Sequence, residues 1–272
     1  MKELFFYEAH RCIKSKGFML SVLLGTAIAV MHHWILRKPI LPEWQTDYLY
    51  AFYPISFYSQ WLGGERATSI GSYAPVFILL LACLPFSASL NNDYSSGIVN
   101  NLSASVSPTQ YLAAKSAVTL LAGAFSGVLP YMVSMILNLC SYPLIPLDAA
   151  YPSSFMAPGI LFYHVWCTHP FLYCLLYMFL ISLYTGSVAL FGMAMGRIVN
   201  RAYVIILLPM ILIITISNLL QIAGLSAFIP ISAFSPVQIF FSTYWTIPLW
   251  LVGLSSVSYA LLKRKVIDSD AL

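Results

Sequence analysis

The chain has 272 residues, of which 60% are hydrophobic and only 8% are charged, and its mean hydropathy is +0.83. An ordinary soluble domain carries about a quarter of its residues as charges, so this composition excludes a water-soluble fold. We expect an integral membrane protein that forms a single transmembrane domain over residues 1–272. The net charge of +4 does not indicate nucleic-acid binding, because the basic residues lie in small groups beside apolar runs.

Apolar runs of sufficient length predict six membrane spans. Residues 1–16 alternate apolar and basic side chains, which predicts an interfacial elbow helix that does not cross the membrane. Residues 17–36 contain no Asp, Glu, Lys or Arg and are long enough to cross a hydrocarbon core of about 30 Å. The mixed polar and aromatic segment 37–72 predicts an aqueous loop. The other spans are predicted at about 73–90, 108–139, 170–196, 203–222 and 244–262.

The distribution of basic residues predicts the orientation. In this topology ten of the thirteen Lys and Arg residues fall on the side of the N-terminus and three fall opposite. The positive-inside rule then places both termini in the cytoplasm, which an even number of spans also requires. All six tryptophans fall on the outer side or in the outer half of a span, as an aromatic belt would. We therefore expect a multi-pass protein of the plasma (cytoplasmic) membrane.

The spans lack the residues that membrane chemistry usually needs. No ionisable residue lies in the middle of a span, which argues against a transporter that binds its coupling ion there. Lys115, one or two turns into the third span, is expected to extend back to the cytoplasmic interface. No P-loop and no hydrolase motif is present, so we predict no catalytic residue and expect ATP to bind another polypeptide. His164, Cys167 and His169 lack a fourth partner, and we predict no metal site.

The connection between spans two and three, residues 91–107, is too long for a tight turn. Asn92 or Asp93 can cap a short helix with one apolar face. Local chemistry favours equally a helix that fills a groove in a partner protein and an ordinary solvated loop. Residues 107–110 (Ser-Pro-Thr-Gln) combine an N-cap serine, a first-turn proline and a capping-box glutamine, and predict the start of span three.

A residue pattern around this connection resembles the membrane subunits of exporter-type ABC transporters of the ABC-2 permease class. The matching positions are Asp93, Gly97, Leu102, Ser103, Ser107, Tyr111 and Lys115. The chain departs from the family pattern at Asp93, where Glu is more common, and at Pro108 or Thr109, where a basic residue is more common. The layout is similar too, with an elbow, six spans, cytoplasmic ends and an uncharged segment 223–243 that resembles a re-entrant hairpin.

The resemblance implies that residues 91–107 contain a coupling helix that docks in a cleft of an ATPase subunit. The implied docking residues are Asp93, Tyr94, Ser96, Gly97, Ile98, Val99 and Leu102. It further implies the permease subunit of an ATP-driven exporter, with two ABC ATPase subunits and a second permease copy or a paralogue. ATP and magnesium would bind the ATPase subunits, and this chain itself would need no cofactor. The alternative is a secondary transporter or channel that works without an ATPase.

Polar and small residues within the spans suggest where a pathway or a packing contact lies. The absence of fixed charges favours a hydrophobic or amphipathic substrate such as a peptide, an antibiotic or a lipid. Candidate pathway residues, which fit helix–helix hydrogen bonds equally well, are Ser182, Thr185, Ser187, Thr215, Asn218 and Gln221. The two G-x-x-x-G motifs at 123–127 and 192–196 allow close helix packing, either within one protomer or at a dimer seam.

Overall fold

The computed structural model describes residues 2–36, 56–64, 69–99, 107–145, 159–238 and 240–269, which form helices and turns with no strand among them. A helix satisfies its own backbone N–H and C=O groups, as a bilayer requires. In chain order the helices are α1 (Lys2–Ile13), α2 (Lys16–Leu36), α3 (Phe57–Gln60), α4 (Ser69–Cys83), α5 (Ser89–Ser95), α6 (Pro108–Leu139), α7 (Tyr163–Thr168), α8 (Pro170–Met195), α9 (Ala202–Ile222), α10 (Pro230–Ala233) and α11 (Thr246–Ser269).

Five of these helices are long and apolar enough to cross a membrane: α2, α6, α8, α9 and the first 18 residues of α11. They cover the predicted first, third, fourth, fifth and sixth spans. Each exposes large apolar side chains around its outer face, which suits a lipid environment. The chain is therefore an all-helical membrane protein with several spanning helices.

The predicted second span, 73–90, is divided in the structure. Helix α4 has 15 residues and ends at Cys83. At 1.5 Å per residue it is about 22 Å long, shorter than the hydrocarbon core of about 30 Å. Pro85 explains where it ends, because proline has no backbone N–H and disfavours helix geometry in the residue before it. Turns over 84–88 then lead into α5, of which the predicted span included only the first two residues, Ser89 and Leu90.

Helices α6 and α8 form the centre of the bundle and pack closely along their length. A Cβ atom added to Gly123 would lie 2.3 Å from the Cβ atom of Ala189, and one added to Gly127 would lie 2.4 Å from the Cβ atom of Thr185. A Cβ atom on Gly192 would lie 3.2 Å from the Sγ atom of Cys83. Both G-x-x-x-G motifs therefore mediate packing within one protomer.

The segment between α9 and α11 packs against α8. It contains a 3₁₀ turn, Ser226–Phe228, and the short helix α10. The ring of Phe234 stacks on that of Tyr184 in α8 with a centroid separation of 4.2 Å. The side-chain amide of Gln238 donates to the hydroxyl of Tyr177 at 2.5 Å and its oxygen accepts from the backbone N–H of Leu161 at 3.2 Å. These contacts attach the segment to α8.

Helix α1 packs against α6 and meets α2 at a sharp corner. The Ser15 hydroxyl sits in this corner, where it accepts from the backbone N–H of Phe18 at 3.1 Å and donates to the carbonyl of Pro85 at 3.1 Å. Glu8 and Cys12 are buried on the inner face of α1, and Phe6 and Ile13 are exposed. The corner therefore connects α1 and α2 to the turn that follows α4.

Candidate functional site

Four charged side chains and one tyrosine form a buried cluster where α1, α5 and α6 meet. Arg11 donates to Glu8 at 2.8 Å and, with both terminal nitrogens, to Asp93 at 2.7 and 3.2 Å. Lys115 donates to Asp93 and, at 3.3 Å, to Glu8. Tyr111 donates its hydroxyl proton to Asp93 and accepts from Lys115 at 3.0 Å. We call these five residues the ion cluster.

Helical spacing explains how the ion cluster forms. Glu8 and Arg11 are three residues apart on α1, and Tyr111 and Lys115 are four apart on α6, so each pair lies on one helix face. Asp93 comes from α5 and lies between the two pairs. The carboxylate of Asp93 is therefore the shared acceptor that joins three helices.

The ion cluster is shielded from water and balanced in charge. The side chains of Glu8 and Lys115 are fully buried, Asp93 is 2% exposed and only Arg11, at 28%, reaches the surface. Two acidic and two basic groups face one another, so no net charge is buried. The Lys115 ammonium also lies 5.1 Å from the ring centroid of Phe86.

The neighbouring charges set the protonation state of Asp93. Burial alone would raise the pKa of its carboxyl, but the hydrogen bond from Arg11 and the charge of Lys115 outweigh burial and lower that pKa below its ordinary value. The pKa of Arg11 is raised, chiefly by its hydrogen bond to Asp93. Asp93 is thus an ionised carboxylate held by two cations.

The structure corrects the expectation for Lys115. Its side chain does not extend to the interface but points inward to Glu8 and Asp93. The apolar run around Lys115 concealed this arrangement, because a partner 22 positions away on α5 and another 107 positions away on α1 leave no local signal. The sequence did contain one signal of the ion cluster. Glu8 and Arg11 on α1, and Tyr111 and Lys115 on α6, are spaced so that each pair places polar groups on one helix face.

The predicted docking residues divide into an inward and an outward group. Asp93 lies inside α5, which Ala88 precedes as N-cap, so neither Asp93 nor Asn92 caps the helix. Tyr94, Ser96 and Ile98 are exposed, while Val99 packs toward Leu90. Gly97 has φ +71°, a left-handed conformation that turns the chain after α5. Leu102 and Ser103 lie outside the described residues.

The predicted pathway residues also divide. Thr185 and Ser187 are buried in α8 and donate to the carbonyls of Ile181 and Leu183 at 2.8 and 2.9 Å, and Ser182 donates to that of Phe179 at 2.7 Å. By contrast Thr215, Asn218 and Gln221 are exposed and recur every three residues along one side of α9. Thr185 and Ser187 therefore lie inside the bundle, where Thr185 faces Gly127 of α6, and the α9 residues form a polar stripe on the outside of the protomer.

The start of α6 agrees in part with the sequence. Helix α6 begins at Pro108, with Ser107 as N-cap in an extended conformation, but the Ser107 side chain makes no capping hydrogen bond. Its hydroxyl lies 3.4 Å from that of Thr109 instead. In the part of the chain that the structure describes, no three His, Cys, Asp or Glu side chains lie close enough together to hold a metal ion.

No protein-family model matches the chain, and no curated protein or solved structure matches it either. The likeness to ABC-2 permeases therefore depends on the residue pattern and the layout of the sequence. Three of the seven matching positions, Asp93, Tyr111 and Lys115, meet in the ion cluster. The spacing of that pattern thus corresponds to a three-dimensional contact.

Proposed function

We propose that this chain is the permease subunit of an ATP-driven exporter of the ABC-2 class, with two separate ATPase subunits that bind ATP and magnesium. A second copy of the chain, or a paralogue, would complete the pathway. The observation that carries the proposal is the ion cluster, which connects the predicted docking segment 91–107 to α1 and α6. The chain itself would catalyse no reaction and would need no cofactor.

The ion cluster supports the proposal because it joins the predicted docking segment to two other helices. Removing one partner from a buried ion pair costs about 3–5 kcal/mol, so α1, α5 and α6 are expected to move together. A displacement of the segment after Asp93 would then reach the central helix α6 directly. An ATPase that pulls on this segment could rearrange the bundle without any ionisable group in the middle of the membrane.

Two apolar side chains support docking at the end of α5. Tyr94 is 37% exposed and Ile98 is 36% exposed, and both lie past the end of the predicted second span. Exposed aromatic and aliphatic side chains of this kind are typical anchors in protein interfaces. We propose that Tyr94, Ser96, Gly97 and Ile98 contact the ATPase, while Asp93 and Val99 hold the segment to the bundle.

The rest of the bundle suggests which class of substrate is carried and which face joins two permease copies. An exposed polar stripe on an otherwise apolar helix is costly in lipid, which favours a partner helix or an aqueous path beside Thr215, Asn218 and Gln221. We propose that this face of α9 lines the pathway between two permease copies. The neutral pathway suits a hydrophobic or amphipathic cargo, exported across the plasma membrane from a cytoplasm that holds both termini.

The first experiment is purification of the tagged chain from its native membrane in mild detergent, with an ATPase assay and identification of the proteins that co-purify. We expect a nucleotide-binding subunit, lost or reduced when Tyr94→Ala and Ile98→Asp are combined. Trp245→Ala is the matched control, because Trp245 is 79% exposed on the predicted outer side. A chain that purifies without any ATPase in several mild detergents would overturn the proposal.

The ion cluster is also the one specific observation that favours the alternative function, a secondary transporter or channel that works without an ATPase. Buried carboxylates in membrane proteins often carry protons or bind coupling ions, and Glu8 and Asp93 are such groups. A secondary transporter would dissipate a pH gradient imposed on liposomes that contain the purified chain alone, measured with an enclosed pH-sensitive dye. We expect no dissipation above empty liposomes, because both carboxylates are already paired with cations. Dissipation lost in Asp93→Asn would favour the alternative.

A further inference from the structure

The corner between α1 and α2 carries two exposed lysines that pair with no acid in the described part of the chain. Lys14 and Lys16 flank Ser15 at this corner and both are exposed. No ion pair among the described residues involves either lysine. The nearby acids Glu8 and Asp93 are already paired in the ion cluster. Glu3, at the far end of α1, is about 16 Å away along the helix.

Two apolar grooves meet at the same corner. One groove, of about 610 Å³, follows α2 and is lined by Phe18, Val22, Leu23 and Val30. The other, of about 240 Å³, lies between α1, α2 and α6 and is lined by Phe5, Cys12, Leu121 and Phe125. Ile13 and Phe18 line both grooves. These two residues stand on either side of the two lysines.

The length of the larger groove is close to the thickness of one leaflet of a bilayer. The stretch from Phe18 to Val30 rises about 18 Å along α2, and one leaflet contributes about 15 Å of hydrocarbon. Two grooves that share Ile13 and Phe18 beside a cationic corner correspond to two acyl chains attached to one anionic headgroup. A zwitterionic lipid would fill the grooves equally well, but its headgroup cation would offset its phosphate and bring no net negative charge to the lysines.

We propose that the α1–α2 corner is a binding site for one anionic diacyl phospholipid of the leaflet nearest the N-terminus. The lipid phosphate lies between Lys14 and Lys16, and the acyl chains occupy the two grooves. The site lies beside the ion cluster, since Cys12 lines the smaller groove and is next to Arg11. The proposal requires only that the chain is embedded in a membrane, and it holds whether or not an ATPase is the partner.

Native mass spectrometry of the purified full chain with added phosphatidylglycerol or phosphatidylcholine tests the proposal. We expect one phosphatidylglycerol to bind in preference to phosphatidylcholine. The double variant Lys14→Gln/Lys16→Gln is expected to weaken phosphatidylglycerol binding about 25-fold, about fivefold for each basic residue. Phosphatidylcholine binding should not change, because the grooves remain.

Two further variants separate the headgroup from the acyl chains. Lys263→Gln removes an equivalent exposed charge from α11 and should leave the preference intact. Ala122→Leu narrows the smaller groove and should weaken binding of both lipids, with thermal unfolding as the check on folding. An unchanged preference in the double lysine variant overturns the proposal. So does disulfide cross-linking of Leu23→Cys between two copies in membranes, because a second copy would then occupy the groove.

Discussion

At the scale of single residues, Asp93 is the position on which most interactions converge. Its carboxylate accepts hydrogen bonds from Arg11, Tyr111 and Lys115, which belong to two other helices. The sequence places Asp93 in the predicted docking segment, and its burial shows that it acts on the bundle side of that segment. Because Asp93 is buried and its neighbours in the docking segment are exposed, this residue links the surface of the segment to the core of the bundle.

We predict that Asp93→Asn destabilises the protein by about 3–5 kcal/mol, because it leaves Lys115 and Arg11 without their shared counter-charge. Lys115→Met should destabilise the protein by a similar amount, because Asp93 and Glu8 lose one of the positive charges that balance them. Unfolding of each variant in detergent, followed by tryptophan fluorescence, measures both effects. The double variant should lose clearly less than the sum of the two single losses. Strict additivity would show that the two residues do not interact.

The stabilising effect of Asp93 should depend on pH in one direction. Its pKa in the folded protein is lowered below the ordinary value of 3.8, so the unfolded chain takes up a proton at a higher pH than the folded chain does. The stabilisation is therefore complete above about pH 5 and is lost progressively as the pH falls through the unfolded and then the folded pKa. The difference in melting temperature between wild type and Asp93→Asn should be constant from pH 7 to about 5 and decrease below 4. A difference that grows on acidification would contradict this assignment.

At the scale of helices, contact between α6 and α8 depends on glycine where their backbones approach most closely. Gly123 faces Ala189 in a space that cannot hold another carbon atom. The G-x-x-x-G motif was recognisable in the sequence, but its partner helix was not. A small-residue stripe marks a close contact without identifying what it contacts.

We predict that Gly123→Ala destabilises the bundle by about 1–3 kcal/mol, because α6 and α8 must separate to admit the methyl group. The matched control is Gly253→Ala in α11, where an added Cβ atom meets nothing within 4 Å. That control should be neutral or stabilising by up to about 1 kcal/mol, since alanine favours helix more than glycine does. Melting temperatures of the two variants in the same detergent give the comparison. Equal decreases in melting temperature in the two variants would mean that α6 and α8 are packed less closely than described.

At the scale of the whole molecule, the native cysteines can test the predicted orientation. Cys140 and Cys167 are exposed, at the end of α6 and in α7, and both fall on the predicted outer side. Cys12, Cys83 and Cys174 are buried. Burial also raises the pKa of the Cys12 thiol to about 12, which suppresses its reactive thiolate.

We predict that a membrane-impermeant maleimide labels Cys140 and Cys167 in intact cells. Labelling should disappear in Cys140→Ser/Cys167→Ser, because the other three thiols are inaccessible. Adding Ser95→Cys to that double variant should restore labelling only after the cells are permeabilised, since Ser95 is exposed on the predicted cytoplasmic side. Mass spectrometry of the labelled peptides identifies the sites. Labelling of position 95 in intact cells would reverse the orientation.

The sequence by itself determined the class of the protein and the positions of most long helices. Apolar runs and residues such as Pro108 and Pro170 mark these helices, because membrane insertion and helix initiation are local properties of the chain. Local hydropathy extended the predicted second span past the end of α4 to residue 90, since it registers apolar content and not the effect of Pro85 on helix geometry. The sequence did not predict the long-range contacts, because these depend on which helices become neighbours.

Only the tertiary structure decided what lies opposite each polar or small residue. It paired Lys115 with acids on α1 and α5, placed Thr185 against Gly127, and left the polar side of α9 exposed. Each result depends on which helices are neighbours and how they are rotated. Helix packing sets both, through the shapes of entire surfaces, so a local pattern could predict a helix face but could not identify its partner.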